Sequence, residues 1–129
     1  MTSPLVLRPD WYVREIEATL DLGQPGIYEW RIDGVGVYIG KALRLKSRLR
    51  AYPNNVRRML QGLHWHGDPT RGYRPIHHAL RDAHDAGALV ILRVLEVCSP
   101  EVRNEREQYW IRLRREEAAA GGPPVLNVW

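Results

Sequence analysis

Gly26-Ile27-Tyr28-Glu29-Trp30-Arg31-Ile32-Asp33-Gly34-Val35-Gly36-Val37-Tyr38-Ile39-Gly40 decides how this chain is read. Residues 27–32 alternate in side-chain character as a β-strand does. Asp33-Gly34 is a strong short turn signal, and Val35 to Ile39 returns as a second strand. The stretch therefore predicts a hairpin carrying one tyrosine on each strand, Tyr28 and Tyr38. A basic segment comes immediately after it. Residues 41–50 hold Lys41, Arg44, Lys46, Arg48 and Arg50 and no acid. One face of the protein is thus expected to attract phosphates.

Outward from the hairpin, the pattern predicts an α+β domain with a small, mostly antiparallel three-stranded sheet flanked by helices. On the N-terminal side, Asp10 is a good helix N-cap, and Val13, Ile16 and Leu20 recur at helical spacing. A helical extension over residues 1–24 is expected. After Gly40, the residues Leu43, Leu45, Leu49 and Tyr52 suggest an amphipathic helix ended by Pro53. Residues 54–63 can form another short helix, and 64–72 read as a loop. Pro75 opens a helix that Gly87 ends. Residues 88–97 form a nearly all-apolar strand, expected to be central. Ser99 and Pro100 start a last helix reaching about Ala120, with an extended tail from Val125.

The composition is that of a globular protein. The 129 residues fit one domain, 1–129, with 44% hydrophobic and 26% charged residues. The formal net charge is +4, a mild preference for polyanionic partners. No apolar run approaches a membrane span, and no signal-peptide pattern is visible, so a cytoplasmic protein is expected. The single Cys98 excludes an internal disulfide and a cysteine-rich zinc site, and a buried, inert thiol is expected. His64, His66, His77, His78 and His84 match no zinc spacing. They are expected in exposed loops or against DNA phosphates.

Cutting a phosphodiester needs an activated water, neutralised phosphate charge and a stabilised leaving oxygen. Mg²⁺ commonly takes only one or two protein carboxylates, so one well-placed acid suffices. Glu107 is the candidate, because Trp110 and Ile111 lie three and four residues on along the same helix face. Glu105 faces Tyr109 and Arg112 instead. Arg48 offers a planar fork and Lys41 a point charge for phosphate. Tyr28 and Tyr38 have phenols with an ordinary pKa near 10, so either serves as a base only beside cations. A hydrogen bond between the two across the hairpin is one way to aim a phenol at water. Taken alone, these residues also fit ordinary packing tyrosines, a solvated glutamate and a solvated basic helix face.

The two tripeptides and the residues C-terminal to them resemble the GIY-YIG nuclease family over roughly residues 25–127. Tyr38-Ile39-Gly40-Lys41-Ala42 running to Arg48 and Tyr52 is similar to the nuclease domain of the bacterial excision-repair incision subunit. Asn104 to Ile111 is similar to the glutamate-bearing helix of phage and intron-associated members, and Asn127 resembles their terminal asparagine. The resemblance implies a DNA endonuclease or nickase using one divalent metal, Mg²⁺ or Mn²⁺. It implies Tyr28 as general base or water-orienting group, Tyr38 positioning it, Lys41 assisting, Arg48 on the scissile phosphate and Glu107 on the metal. Gly26, Gly40, Tyr52 and Asn127 would support the site. Arg44, Lys46 and Arg50 would meet DNA, and so would Arg57, Arg58, Arg71 and Arg74 on an insertion arm, 53–74. The chain has no second DNA-binding domain in view. Specificity would then be low, or lie in the arm, or come from a protein partner or dimerisation. The alternative is a nucleic-acid-binding module without catalysis.

Overall fold

In a computed structural model, which describes residues 6–70 and 72–128, the chain forms an α+β domain around one mixed sheet. The strands are β1 (Val13–Glu15), β2 (Gly26–Ile32), β3 (Gly36–Ala42) and β4 (Val90–Val97). Their order across the sheet is β1-β4-β2-β3. The helices are α1 (Leu45–Leu60), α2 (Pro75–Ala86) and α3 (Arg103–Ala119).

The expected hairpin is β2–β3. Its antiparallel register pairs Tyr28 with Gly40 and Trp30 with Tyr38. β4 pairs antiparallel with the other edge of β2, so both β2 and β4 are interior strands. The α+β class is as expected, with one strand more than the three expected. The addition comes from the N-terminal segment, where residues 6–24 form no helix; residues 1–5 of the expected extension lie outside the described residues. Val13 to Glu15 instead lie parallel to β4, with turns beyond them at Ala18–Thr19 and Leu22–Gly23. The physical reason is Trp11. Its indole stacks on Trp30 at 6.0 Å and 13°, in the main core, and this anchor draws the next residues onto the edge of β4.

Two layers of side chains sit on the two faces of the sheet. Tyr28, Trp30, Ile32, Tyr38 and Leu92 pack with α1 and α2 through Leu45, Leu49, Tyr52, Val56, Ile76 and Leu80. Ile27 and Ile39 point the other way and pack against Ile111 of α3. That second face also buries Glu29, whose carboxylate takes a hydrogen bond from Arg114 at 2.5 Å.

Pro53 does not end α1. The ring removes one backbone donor, a local cost. Yet Leu45, Leu49, Tyr52, Val56 and Leu60 form one unbroken buried stripe on either side of it, and that burial carries the helix through. α2 starts with Pro75 at its first turn and ends at Gly87 in the left-handed region, φ 68°. A 3₁₀ turn, Pro100–Val102, precedes α3. In the tail, Val125 bridges to Val37, and Asn127 bonds both backbone groups of Ile39 at 2.8 and 2.9 Å. One side chain thus satisfies part of the outer edge of β3.

Two histidine expectations are corrected. His77 and His84 are buried on α2, at 3% and 1% exposure, and not on an exposed loop. Their i, i+7 spacing puts both on the helix face that meets the core. Cys98 is half-buried, with burial raising its thiol above the ordinary range. No helix among the described residues is long and apolar enough to cross a membrane.

Candidate active site

The site is built from the hairpin first. In a strand, alternate side chains share a face. Tyr28 and Tyr38 therefore share one, although they are not directly opposite each other. The ring of Tyr28 lies across Gly40. A Cβ at Gly40 would come within 2.3 Å of the Tyr28 hydroxyl, so only glycine admits this ring. Gly26 is crowded by backbone, since a Cβ there would meet the Glu96 carbonyl oxygen at 2.4 Å. The two glycines of the tripeptides are thus close-approach positions.

A cleft of about 480 Å³ opens beside this pair. It is lined by Tyr28, Tyr38, Gly40, Lys41, Arg48, Glu107 and Arg74, with Arg103 and Gln108. Two helices, the residue before a third and the hairpin contribute. Arg48 comes from the exposed side of α1, Arg74 from the residue before α2, and Glu107 from the second turn of α3. The glutamate is 5% exposed, with Lys41 Nζ 3.7 Å from its carboxylate. The same ammonium donates to Asn104 on α3. Burial raises the Glu107 carboxyl above the usual range, and Lys41, Arg103 and Arg74 partly offset that.

The phenols form a connected set. Tyr28 and Tyr52 share a short hydrogen bond, so the partner of Tyr28 comes from α1 and not from Tyr38 across the hairpin. Tyr38 accepts a hydrogen bond from Arg74 at 3.1 Å. Nearby cations do not bring either phenol of the hairpin below its ordinary range. Burial raises Tyr28 well above an ordinary phenol, with Tyr52 adding to it, and Arg48 offsets only a little. Burial also raises Tyr38 and Tyr52. These are neutral hydrogen-bonding groups in this state.

Other expected residues lie elsewhere. Tyr52 stands behind Tyr28, and Asn127 holds the edge of β3. Arg44, Lys46 and Arg50 line a separate groove of about 630 Å³, together with Arg14. Arg57 is exposed on α1. Arg58 donates to the His64 carbonyl at 2.9 Å and lines a pocket next to the cleft. Arg71 lies outside the described residues. Sequence reasoning places Arg74 on an outlying arm, whereas it reaches the Tyr38 hydroxyl. It passes over Arg103, Asn104 and Gln108. The first two stand four and three residues before Glu107, spacing that puts them on its helix face.

The cleft can do specific chemistry. It presents four cations, Lys41, Arg48, Arg74 and Arg103, around one recessed carboxylate and two phenols. An anion with oxygen atoms facing several directions would find donors on all sides. Among the described residues, no group of three or more His, Cys, Asp and Glu side chains is placed to hold a metal. Mg²⁺ or Mn²⁺ does not require such a group, because a hard ion keeps several waters and takes one or two carboxylates. Glu107, an oxygen donor at the cleft wall, fits that requirement.

The mixed four-stranded sheet flanked by helices is an α+β architecture consistent with a GIY-YIG-like fold. In comparisons with known proteins, no family model matches the chain. Over 31 residues, 24% of the chain, it is 58% identical to the UvrABC system protein C of Thermotoga petrophila and of Thermotoga sp. strain RQ2. That stretch spans only 6% of the length of those relatives. No solved structure matches.

Proposed function

We propose that this protein is a divalent-metal-dependent endonuclease or nickase that hydrolyses phosphodiester bonds of DNA. The observation that carries the reading is the shared cleft: Tyr28, Tyr38, Lys41, Arg48 and Glu107 all open into it. The local identity with UvrABC system protein C supports a nuclease role in DNA repair, and supports DNA as the substrate.

In this reading a water oxygen attacks phosphorus and releases a proton to solvent, the bond from phosphorus to the leaving oxygen breaks, and that oxygen takes up a proton from solvent. Bound by Glu107, Mg²⁺ or Mn²⁺ would supply Lewis-acid neutralisation of the phosphate and the leaving oxygen. The remaining work falls to the chain's own residues. Arg48 holds two phosphate oxygens with its planar fork. Arg74 adds a second guanidinium while orienting Tyr38. Tyr28, kept neutral by burial, orients the water by hydrogen bonding; this favours the orienting role over that of general base. Tyr52 fixes the Tyr28 hydroxyl in turn. Lys41 balances Glu107 before a metal is present and assists at the phosphate afterwards.

The test is supercoiled plasmid with the protein and Mg²⁺ or Mn²⁺, beside the same mixture with EDTA. Nicked or linear product that needs the metal is expected. Intact plasmid across both metals, with DNA binding retained, would replace this reading with a non-catalytic binding module.

A further inference from the structure

A second pocket of about 620 Å³ adjoins the cleft and shares Arg48 and Arg74 with it. Its other lining includes Asn54 and Asn55 of α1, His77 of α2 and Trp65 of the 3₁₀ turn Trp65–Gly67. The volume lies within the usual range for pockets that take small organic groups.

Three features point to a flat, polar-edged ligand attached to an anion. Trp65 is half-exposed, and its indole lies 5.3 Å from the His77 ring, so the pocket has an aromatic wall with an open side. His77 is 3% exposed and its Nδ1 has no hydrogen-bond partner. Its other nitrogen pairs with Asn55 at 3.3 Å, and burial holds the ring neutral. A buried ring nitrogen without a partner costs free energy unless a ligand or water meets it. Finally, Arg48, Arg58 and Arg74 line the pocket and no acid does.

We infer that this pocket receives an unpaired nucleobase of the strand whose phosphate occupies the cleft, stacked on Trp65 with its edge toward Asn54, Asn55 and His77. The inference rests on the phosphodiester reading above, because Arg48 and Arg74 would then hold the phosphate that joins the two compartments. A paired base is held within the duplex stack, and entering a pocket means leaving it. The protein therefore selects DNA with an unpaired nucleotide over fully paired duplex.

The test measures binding in EDTA, where no cutting occurs, by fluorescence anisotropy of end-labelled DNA. The probes are a 12-nucleotide single strand, a paired duplex, and the same duplex with one unpaired nucleotide. The full-length protein should bind the first and third at least fivefold more tightly than the second. Trp65→Ala should lose about tenfold on those two, as one lost base–aromatic stack implies, and less than twofold on the paired duplex. Trp65→Tyr should restore binding to within about threefold of the parent, since a stacking ring is kept. If thermal melting shows that Trp65→Ala does not fold, Asn54→Ala carries the test, with the same selective loss expected. Equal affinity of the parent for all three probes, or equal weakening of all three by the variants, would overturn the inference. Selective binding without plasmid cutting would sink the hydrolase reading and keep the pocket. Cutting without selectivity would do the reverse.

Discussion

Gly40 has no side chain, and the Tyr28 ring occupies the space that one would fill. Gly40→Ala should therefore destabilise the protein by roughly 1–3 kcal/mol, the usual range for an overpacked site. It should also displace the phenol. Urea unfolding measures the first effect, and loss of cutting beyond the loss of fold measures the second. His77 makes a prediction about pH. Burial pushes its imidazole from 6.5 down to about 4. The unfolded chain thus binds a proton between those values that the folded chain refuses. Stability tied to this group is present above about pH 6.5 and is lost as pH falls toward 4. The loss should be on the order of 3 kcal/mol, read as a falling melting temperature. His77→Gln should flatten that fall, and an unchanged slope in the variant would argue against His77 as its source. Residues of this kind differ in how far the chain announces them. The place of Glu107 at the edge of a buried stripe is legible, because Trp110 and Ile111 lie three and four residues on, whereas a role for it in the site comes only from the family resemblance. The tie between Tyr28 and Tyr52 is not legible, since 24 residues separate the two and only the packing of α1 on β2 joins them.

At the scale of elements, the hairpin is readable because its signals are local: alternation along β2, a turn at Asp33-Gly34, and alternation again. α2 is readable for a similar reason, with proline and glycine at opposite ends. The N-terminal segment and Pro53 mislead because a distant partner decides each. Helical spacing in Val13, Ile16 and Leu20 loses to the parallel edge that β4 offers. A helix-breaking ring loses to an apolar stripe continuing beneath it. Trp11 is the residue on which the first outcome turns. Trp11→Ala should cost about 3–5 kcal/mol, as removal of a buried indole does. Circular dichroism and urea unfolding should show the loss, and hydrogen exchange should show β1 opening first. A variant within about 1 kcal/mol of the parent would mean that the edge strand holds without its anchor. The convergence of α1, the start of α2 and α3 on the hairpin comes from the two-sided sheet, with two helices on one face and one on the other.

At the scale of the whole molecule, net charge says little beside its placement. The +4 excess is modest, yet one cleft brings Lys41, Arg48 and Arg74 around a single recessed acid. A separate groove holds Arg14, Arg44, Lys46 and Arg50. On the proposed reading such an arrangement would separate binding from bond breaking: many cations would share the first, and few groups would take part in the second. The measurement that tests this most directly is single-turnover cutting of end-labelled DNA with Mg²⁺, paired with affinity in EDTA, for the parent, Glu107→Ala and Arg48→Ala. Both variants should cut at least about 10²-fold more slowly, the scale of losing one charge-stabilising group. Glu107→Ala should still bind DNA within about threefold of the parent, because it removes a repelling carboxylate and leaves every cation in place. Cutting by Glu107→Ala at the parental rate would contradict the account.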